Sequence, residues 1–139
     1  MTKKREFEMP LAELLDRMTI TQIKTVLKAG DTESYTKELK KLRSDIGSAI
    51  EESKLSVTAE FLQYVVILSQ INLHIWHNKD KMQECIGDEA KYLQLLKHAH
   101  QLNGYRNKIK NVLLGLEGKL DISQLRSNFE TDGLKLELI

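Results

Sequence analysis

The sequence predicts an all-α antiparallel helical bundle built on a long hairpin of two helices. Three observations support this fold class. Apolar residues recur at intervals of three and four through most of the chain, the only proline, Pro10, precedes the first of these stretches, and Gly87-Asp88 separates the two longest. Because the N–H that proline lacks would be unpaired in the first turn, a helix can begin directly after Pro10.

The first two predicted helices lie on either side of Gly30. The first carries two apolar stripes that are rotated from one another, one before Thr19 and one after it. Two arrangements account for both stripes. One is a break near Thr19, which has capping-box spacing to Gln22, and the other is one continuous helix with a broad apolar face. Asp31 is the expected N-cap of the second helix, a surface helix that continues to about Ser53.

The third and fourth helices form the predicted hairpin, and each has about 28 residues and a length of about 42 Å. The third is expected to follow a Ser56 cap and to continue to about Cys85, and the fourth to run from about Asp88 to Leu116. Residues 61–76 are apolar nearly all round. We therefore expect the third helix to lie at the centre of the bundle or to serve a homodimer interface as well.

The two ends of the chain are less regular than the helical part. Residues 1–10 are interpreted as an N-terminal extension and residues 119–139 as a tail, within a single domain of 139 residues. Segments 4–9 and 133–139 both alternate between apolar and polar residues, as strands do. This pattern predicts a small two-stranded ribbon that joins the termini.

The composition argues against several classes of partner. The chain has 21 basic and 20 acidic residues, so it offers no electrostatic attraction for nucleic acid or for an anionic membrane. Its uninterrupted apolar runs are too short to span a bilayer. The single cysteine, Cys85, allows no internal disulfide, and no signal-peptide pattern follows the basic start. We therefore expect a cytoplasmic protein.

Polar side chains interrupt both apolar stripes of the predicted hairpin. Asn72 stands in the stripe of the third helix and Arg106 in that of the fourth. A buried amide or charge is costly unless it is paired, so both residues need partners or line a cavity. Helical spacing places further polar residues on the sides of these helices that carry Asn72 and Arg106. The first helix can contribute Glu13 as well. The predicted strip comprises Asp16, Lys24, Asn72, Trp76, Asp80, Asn103, Arg106 and Lys110.

This strip has two interpretations. It is a closed internal network that sets the helix register if Arg106 pairs with Asp16 or Asp80. Alternatively it holds a small anionic or sugar-like ligand, with Arg106 and Lys110 as its charged partners and Trp76 as a stacking wall. Whether Arg106 meets a carboxylate or open solvent distinguishes the two.

Four histidines are roughly level across the predicted hairpin: His74, His77, His98 and His100. Their helical angles argue against a metal site, because only His77 and His98 are expected to approach each other. The Glu-x-x-His pairs of di-iron bundles do not occur in the sequence. We therefore predict no metal ion and no cofactor.

Three short segments occur in a recognisable order: LAELLDRMTITQIK at 11–24, NLHIWHNKD at 72–80 and LNGYRNKIK at 102–110. Together they resemble a loose group of small uncharacterised helical proteins from bacteria and tailed phages. The group usually has an acidic residue just after the tryptophan, where this chain has His77-Asn78. The resemblance covers about the first 115 residues and implies an all-helical fold without an established activity. Its matched positions are Glu13, Asp16, Lys24, Asn72, Trp76, Asp80, Asn103, Arg106 and Lys110.

We expect a non-enzymatic interaction or assembly protein that forms a homodimer or binds another protein. The alternative is a small-anion binding protein or enzyme, for a nucleotide or sugar phosphate, that uses the strip around Arg106. An enzyme would need a general acid or base beside its ligand. Asp16, Asp80 and His77 are the residues that the sequence places there.

Overall fold

The computed structural model describes residues 8–118, which form four α-helices. They are α1 (Leu11–Val26), α2 (Thr32–Ser53), α3 (Ala59–Glu84) and α4 (Glu89–Glu117). The described residues contain no strand, so the predicted all-helical fold is confirmed for this part of the chain. Apart from residues 8 and 9, the predicted ribbon and the 119–139 tail lie outside the described residues. None of the four helices combines the length and the apolar character needed to cross a membrane.

The first helix is continuous through Thr19, which decides between the two interpretations of its apolar stripes. The Thr19 hydroxyl donates a hydrogen bond to the carbonyl oxygen of Asp16 at 2.7 Å, within the same helix. The helix ends just before Lys28 and Gly30, whose φ angles of 52° and 98° lie in the left-handed region. Glycine adopts that region at little steric cost, so Gly30 is a suitable residue for the turn into α2.

Side-chain caps begin the other three helices. Asp31 accepts a hydrogen bond from the Ser34 N–H at 3.2 Å, as predicted, and Asp88 caps α4 in the same way. The prediction of a Ser56 cap for α3 is wrong, because the Thr58 hydroxyl accepts the bond from the Phe61 N–H. Residues 55–58 are used for the connection from α2, so α3 begins later than expected.

The core lies where α1 meets the other helices. α1 packs against α2, α3 and α4, and α3 also packs against α4. Leu68 of α3 and Ile109 of α4 have no exposed surface, and Leu11 of α1 is 1% exposed. α2 buries only Leu42 and Ile46, as expected of a surface helix. The interior is therefore formed mainly by α1, α3 and α4.

One side of α3 is open to solvent. Three apolar residues there, Leu62, Val66 and Leu73, are 52%, 53% and 38% exposed, and we call them the α3 stripe. The described helices therefore do not surround α3, and a homodimer interface stays a prediction for the side that carries the stripe. Its buried residues include Leu68 and Asn72, and the described helices that pack most extensively on α3 are α1 and α4.

Candidate functional site

A buried carboxylate links three of the four helices. α1 places Asp16 on its inner face, where the side chain is 6% exposed. Arg106 of α4 donates from Nε to Asp16 Oδ1 at 2.9 Å and from a terminal guanidinium nitrogen to Oδ2. This two-point contact is the strongest geometry for such a pair. Arg106 therefore meets a carboxylate, and that carboxylate is Asp16 rather than Asp80.

The amide of Asn72 completes the contacts of this carboxylate from the α3 side. Its Nδ2 donates to Asp16 Oδ1 at 2.9 Å and to the Thr19 hydroxyl oxygen at 2.7 Å. Asn72 is 4% exposed, and both N–H groups of its amide have acceptors on α1. The amide that interrupts the apolar stripe of α3 is therefore stabilised by two partners on α1.

Lys110 of α4 brings a second cation to the same place. Its Nζ lies 3.0 Å from Glu13 Oε1 and 3.5 Å from Asp16 Oδ2, and its side chain is 5% exposed. Two carboxylates thus face two cations, so the charges of the group balance. We call the group the Asp16 network: Glu13, Asp16, Asn72, Arg106 and Lys110.

The network changes the protonation equilibria of its central pair. Burial alone would raise the pKa of Asp16, but hydrogen bonds from Arg106 and Asn72 and the positive charges of Arg106 and Lys110 outweigh it. The pKa of Asp16 therefore lies below its ordinary value. The hydrogen bonds to Asp16 raise the pKa of Arg106 further. Both groups are charged at neutral pH, which suits an ion pair, and a carboxylate with a lowered pKa is a weak general base.

A cleft of about 810 Å³ opens above the network between α1 and α4. The network forms its floor, where the Arg106 side chain is 25% exposed. Arg17 and Lys24 of α1 line it on one side, and Asn103 and Asn107 of α4 on the other. The only acidic residue that the cleft adds to those of the network is Glu38 of α2. The Lys24 ammonium also lies 5.4 Å from the centre of the Tyr35 ring.

Six of the predicted strip residues converge and two do not. Asp16, Lys24, Asn103, Arg106 and Lys110 line the cleft, and Asn72 lies behind its floor. Trp76 is half-buried outside the cleft lining, and Asp80 is exposed in a different concavity beside His74 and His77. Each step of four residues turns a helix by about 40° beyond a full turn. Asp80 therefore lies about 80° around α3 from Asn72, and the two do not share a face.

Sequence reasoning missed some contacts at this site. Thr19, Arg17 and Asn107 were not expected there, although Thr19 lies one turn after Asp16 and so shares its face. Glu117 was also missed: its Oε1 accepts a hydrogen bond from the Leu11 N–H at 3.0 Å, at the start of α1. At a separation of 106 positions, these partners leave no local signal in the sequence.

The histidines form one close pair across α3 and α4. His74 Nε2 lies 3.3 Å from His98 Nε2, so the expectation that His77 and His98 would be the approaching pair is wrong. Partial burial lowers the pKa of His74, and nearby His98, Lys81 and His77 add to this. Within residues 8–118, no group of three or more His, Cys, Asp or Glu side chains is arranged to hold a metal ion.

Comparison with family models, with curated proteins and with solved structures finds no match for this chain.

Proposed function

We propose that this protein is a non-enzymatic interaction or assembly module that works as a homodimer. The observation that carries the proposal is the solvent-exposed α3 stripe. The Asp16 network supports it indirectly, because its two cations already face two carboxylates. A balanced, buried network of this kind joins helices, and it requires no ligand to satisfy its charges.

The α3 stripe has the form of a helix-packing seam. At about 100° per residue, Leu62, Val66 and Leu73 lie within about 40° of one another around the helix axis. Trp76 follows Leu73 by three residues and is half-buried at the edge of the stripe. Contiguous exposed apolar surface on a small protein typically marks an interaction site.

The spacing of the stripe favours a second copy of the chain as the occupant. If two α3 helices cross antiparallel about a two-fold axis near Ser69, Val66 meets Leu73 of the other copy. The surface is thus complementary to itself in apolar character.

The proposal includes the architecture in which this surface is presented: an antiparallel bundle on an α3–α4 hairpin, with α1 and α2 packed against it. Facing residues support the hairpin, because His74 lies beside His98 while Asn78, further along α3, donates to the carbonyl of Leu95, earlier in α4. A cytoplasmic location, supported by the single cysteine, is part of the same proposal.

Molar mass in solution tests the homodimer. We expect twice the chain mass from light scattering for the unchanged protein and the chain mass for Leu62→Glu/Val66→Glu, with equal helical content. Val26→Glu is the matched control, because Val26 is 66% exposed at the end of α1, away from the stripe. A monomeric unchanged protein, or a double variant that remains dimeric, would contradict the proposal.

The cleft supports a second candidate function, the binding of a small anion such as a nucleotide or sugar phosphate. Arg17 and Lys24 support this candidate, because they add two positive charges above the Asp16 network, whose own charges balance. Calorimetric titration with ATP and with a hexose phosphate tests it. Lys24→Ala should weaken binding, whereas Lys40→Ala, at an exposed site on α2, should not. Absence of binding by either compound at millimolar concentration would reject this function.

A further inference from the structure

The close pair His74 and His98 lies outside both the Asp16 network and the α3 stripe. The two Nε2 atoms are 3.3 Å apart, the ring centres are 5.1 Å apart, and the ring planes are inclined at 62°. One histidine comes from the middle of α3 and the other from the middle of α4. Two rigid helices therefore present a pair of nitrogen atoms to one point near the surface.

We propose that His74 and His98 bind a divalent transition-metal ion, Zn²⁺, through their Nε2 atoms. In a tetrahedral zinc site each nitrogen lies about 2.0–2.1 Å from the ion, which sets two nitrogen ligands about 3.3–3.4 Å apart. The observed separation of 3.3 Å matches that requirement. The ion replaces the direct contact between the rings, and water or a small anion occupies its remaining positions.

The surroundings of His74 favour the form that binds metal. Only the neutral imidazole has a lone pair to donate, and partial burial together with His98, Lys81 and His77 lowers the pKa of His74. The adjoining concavity of about 670 Å³ also contains Asp80, Glu84 and Lys81, so its two carboxylates outnumber its one ammonium group. Imidazole is a preferred ligand of zinc.

The affinity of this site for zinc is limited because only two side chains bind the ion. Since no third metal-binding side chain joins the pair within residues 8–118, the ion keeps an open, solvated coordination shell. We expect micromolar binding, weaker than that of closed four-ligand sites. The ion joins α3 to α4, so its effect on stability distinguishes this site from loose binding at a single surface side chain.

Calorimetric titration of the untagged chain with zinc chloride near neutral pH tests the proposal. We expect one site, weakened about tenfold or more in His74→Ala and in His98→Ala, since even outer-shell partners of a metal contribute that much. His100→Ala is the matched control, because His100 is exposed on α4 two residues from His98. Equal affinity of the unchanged chain and the His74→Ala/His98→Ala variant would overturn the proposal. Loss of the site in Cys85→Ser would overturn it too, because the thiol would then be the ligand.

Thermal unfolding supplies a second readout that uses variants closer in shape. Zinc should raise the Tm of the unchanged chain and of His100→Gln, with reversal by EDTA, and should leave His74→Gln and His98→Gln unchanged. At about pH 5 the rise should disappear, because protonated imidazole does not bind metal. An equal zinc-dependent rise in His98→Gln, or a rise that persists at that pH, would reject the two-histidine site.

Discussion

The two faces of α3 reverse the usual relation between polarity and burial. Asn72 is 4% exposed among core residues, whereas Val66, six positions earlier, is 53% exposed. On the inner face, α1 supplies hydrogen-bond acceptors that stabilise the amide. On the outer face, the apolar side chains of the α3 stripe remain exposed within residues 8–118. Partners, rather than the polarity of a side chain alone, determine which residues of this helix are buried.

Removing the central partner of the inner face should have the largest effect. Asp16→Ala leaves the Arg106 and Lys110 side chains without their shared carboxylate, and Lys110 is almost fully buried. We expect the free energy of unfolding to fall by about 3–5 kcal/mol, as measured by urea denaturation. Asp45→Ala, at an exposed acid on α2, is the control and should change it little. A loss below about 1 kcal/mol would show that the network contributes only as exposed ion pairs do.

Arg106 should have the next largest effect. Arg106→Ala leaves Asp16 buried with only Lys110 as a nearby cation, and should lower the free energy of unfolding by roughly 3 kcal/mol. This loss is at the lower end of the range expected for a broken buried ion pair, because the Arg106 side chain is a quarter exposed. Arg106→Leu should also be destabilising, since it too removes the partner of Asp16. A leucine variant as stable as the unchanged protein would favour the open-pocket interpretation instead.

Acid pH should lower the free energy of unfolding, and the size of this loss should depend on Asp16 on the inner face. Since the pKa of Asp16 is lowered by folding, its stabilisation is complete above the ordinary value of 3.8 and is lost as the pH falls through the lower value of the folded state. The effect should be smaller than that of Asp16→Ala, because a protonated carboxyl group still accepts hydrogen bonds. The free energy of unfolding should therefore fall more steeply below pH 3.8 for the unchanged protein than for Asp16→Asn. Parallel pH profiles for the unchanged protein and Asp16→Asn would contradict the assignment of this loss to Asp16.

The outer face should show the smallest effect on the stability of the monomer. Val66→Ser in the Leu62→Glu background should change the free energy of unfolding by no more than about 0.5 kcal/mol, because the site is exposed. Leu68→Ala in the same background should cost about 2–4 kcal/mol, since Leu68 has no exposed surface. Thermal unfolding at low protein concentration measures both. Comparable losses at the two sites would mean that the stripe is covered within the monomer.

Local signals in the sequence were sufficient to predict that the four helices exist, but not where α3 begins. Apolar periodicity identified all four, and Asp31 and Asp88 each precede the helix that they cap. Ser56 and Thr58 have similar capping ability, so the sequence alone could not choose between them. The path of the chain after α2 decides for Thr58. The open side of α3 was also beyond local prediction, because an apolar face looks the same whether or not a neighbour covers it.

The site was predicted where a polar residue stood inside an apolar seam. This signal identified Asn72 and Arg106, and the spacings of three and four placed Asn103 and Lys110 beside Arg106 correctly. It failed for Asp80, because the drift of about 40° per four residues accumulates over two steps. The choice of Asp16 as the partner of Arg106 depends on how α1 packs against α4, which sequence spacing does not encode.

The long sequence separation within the Asp16 network constrains the order of events on the ribosome. Asp16 and Arg106 are 90 residues apart, and Leu11 and Glu117 are 106 apart. When α1 has been synthesised, the guanidinium that neutralises its inward-facing carboxylate does not yet exist. Closing such distant contacts is slow and comes late in folding. The inner face of α1 therefore stays incomplete until α4 has been synthesised, and α1 reaches its final environment only when α4 packs against it.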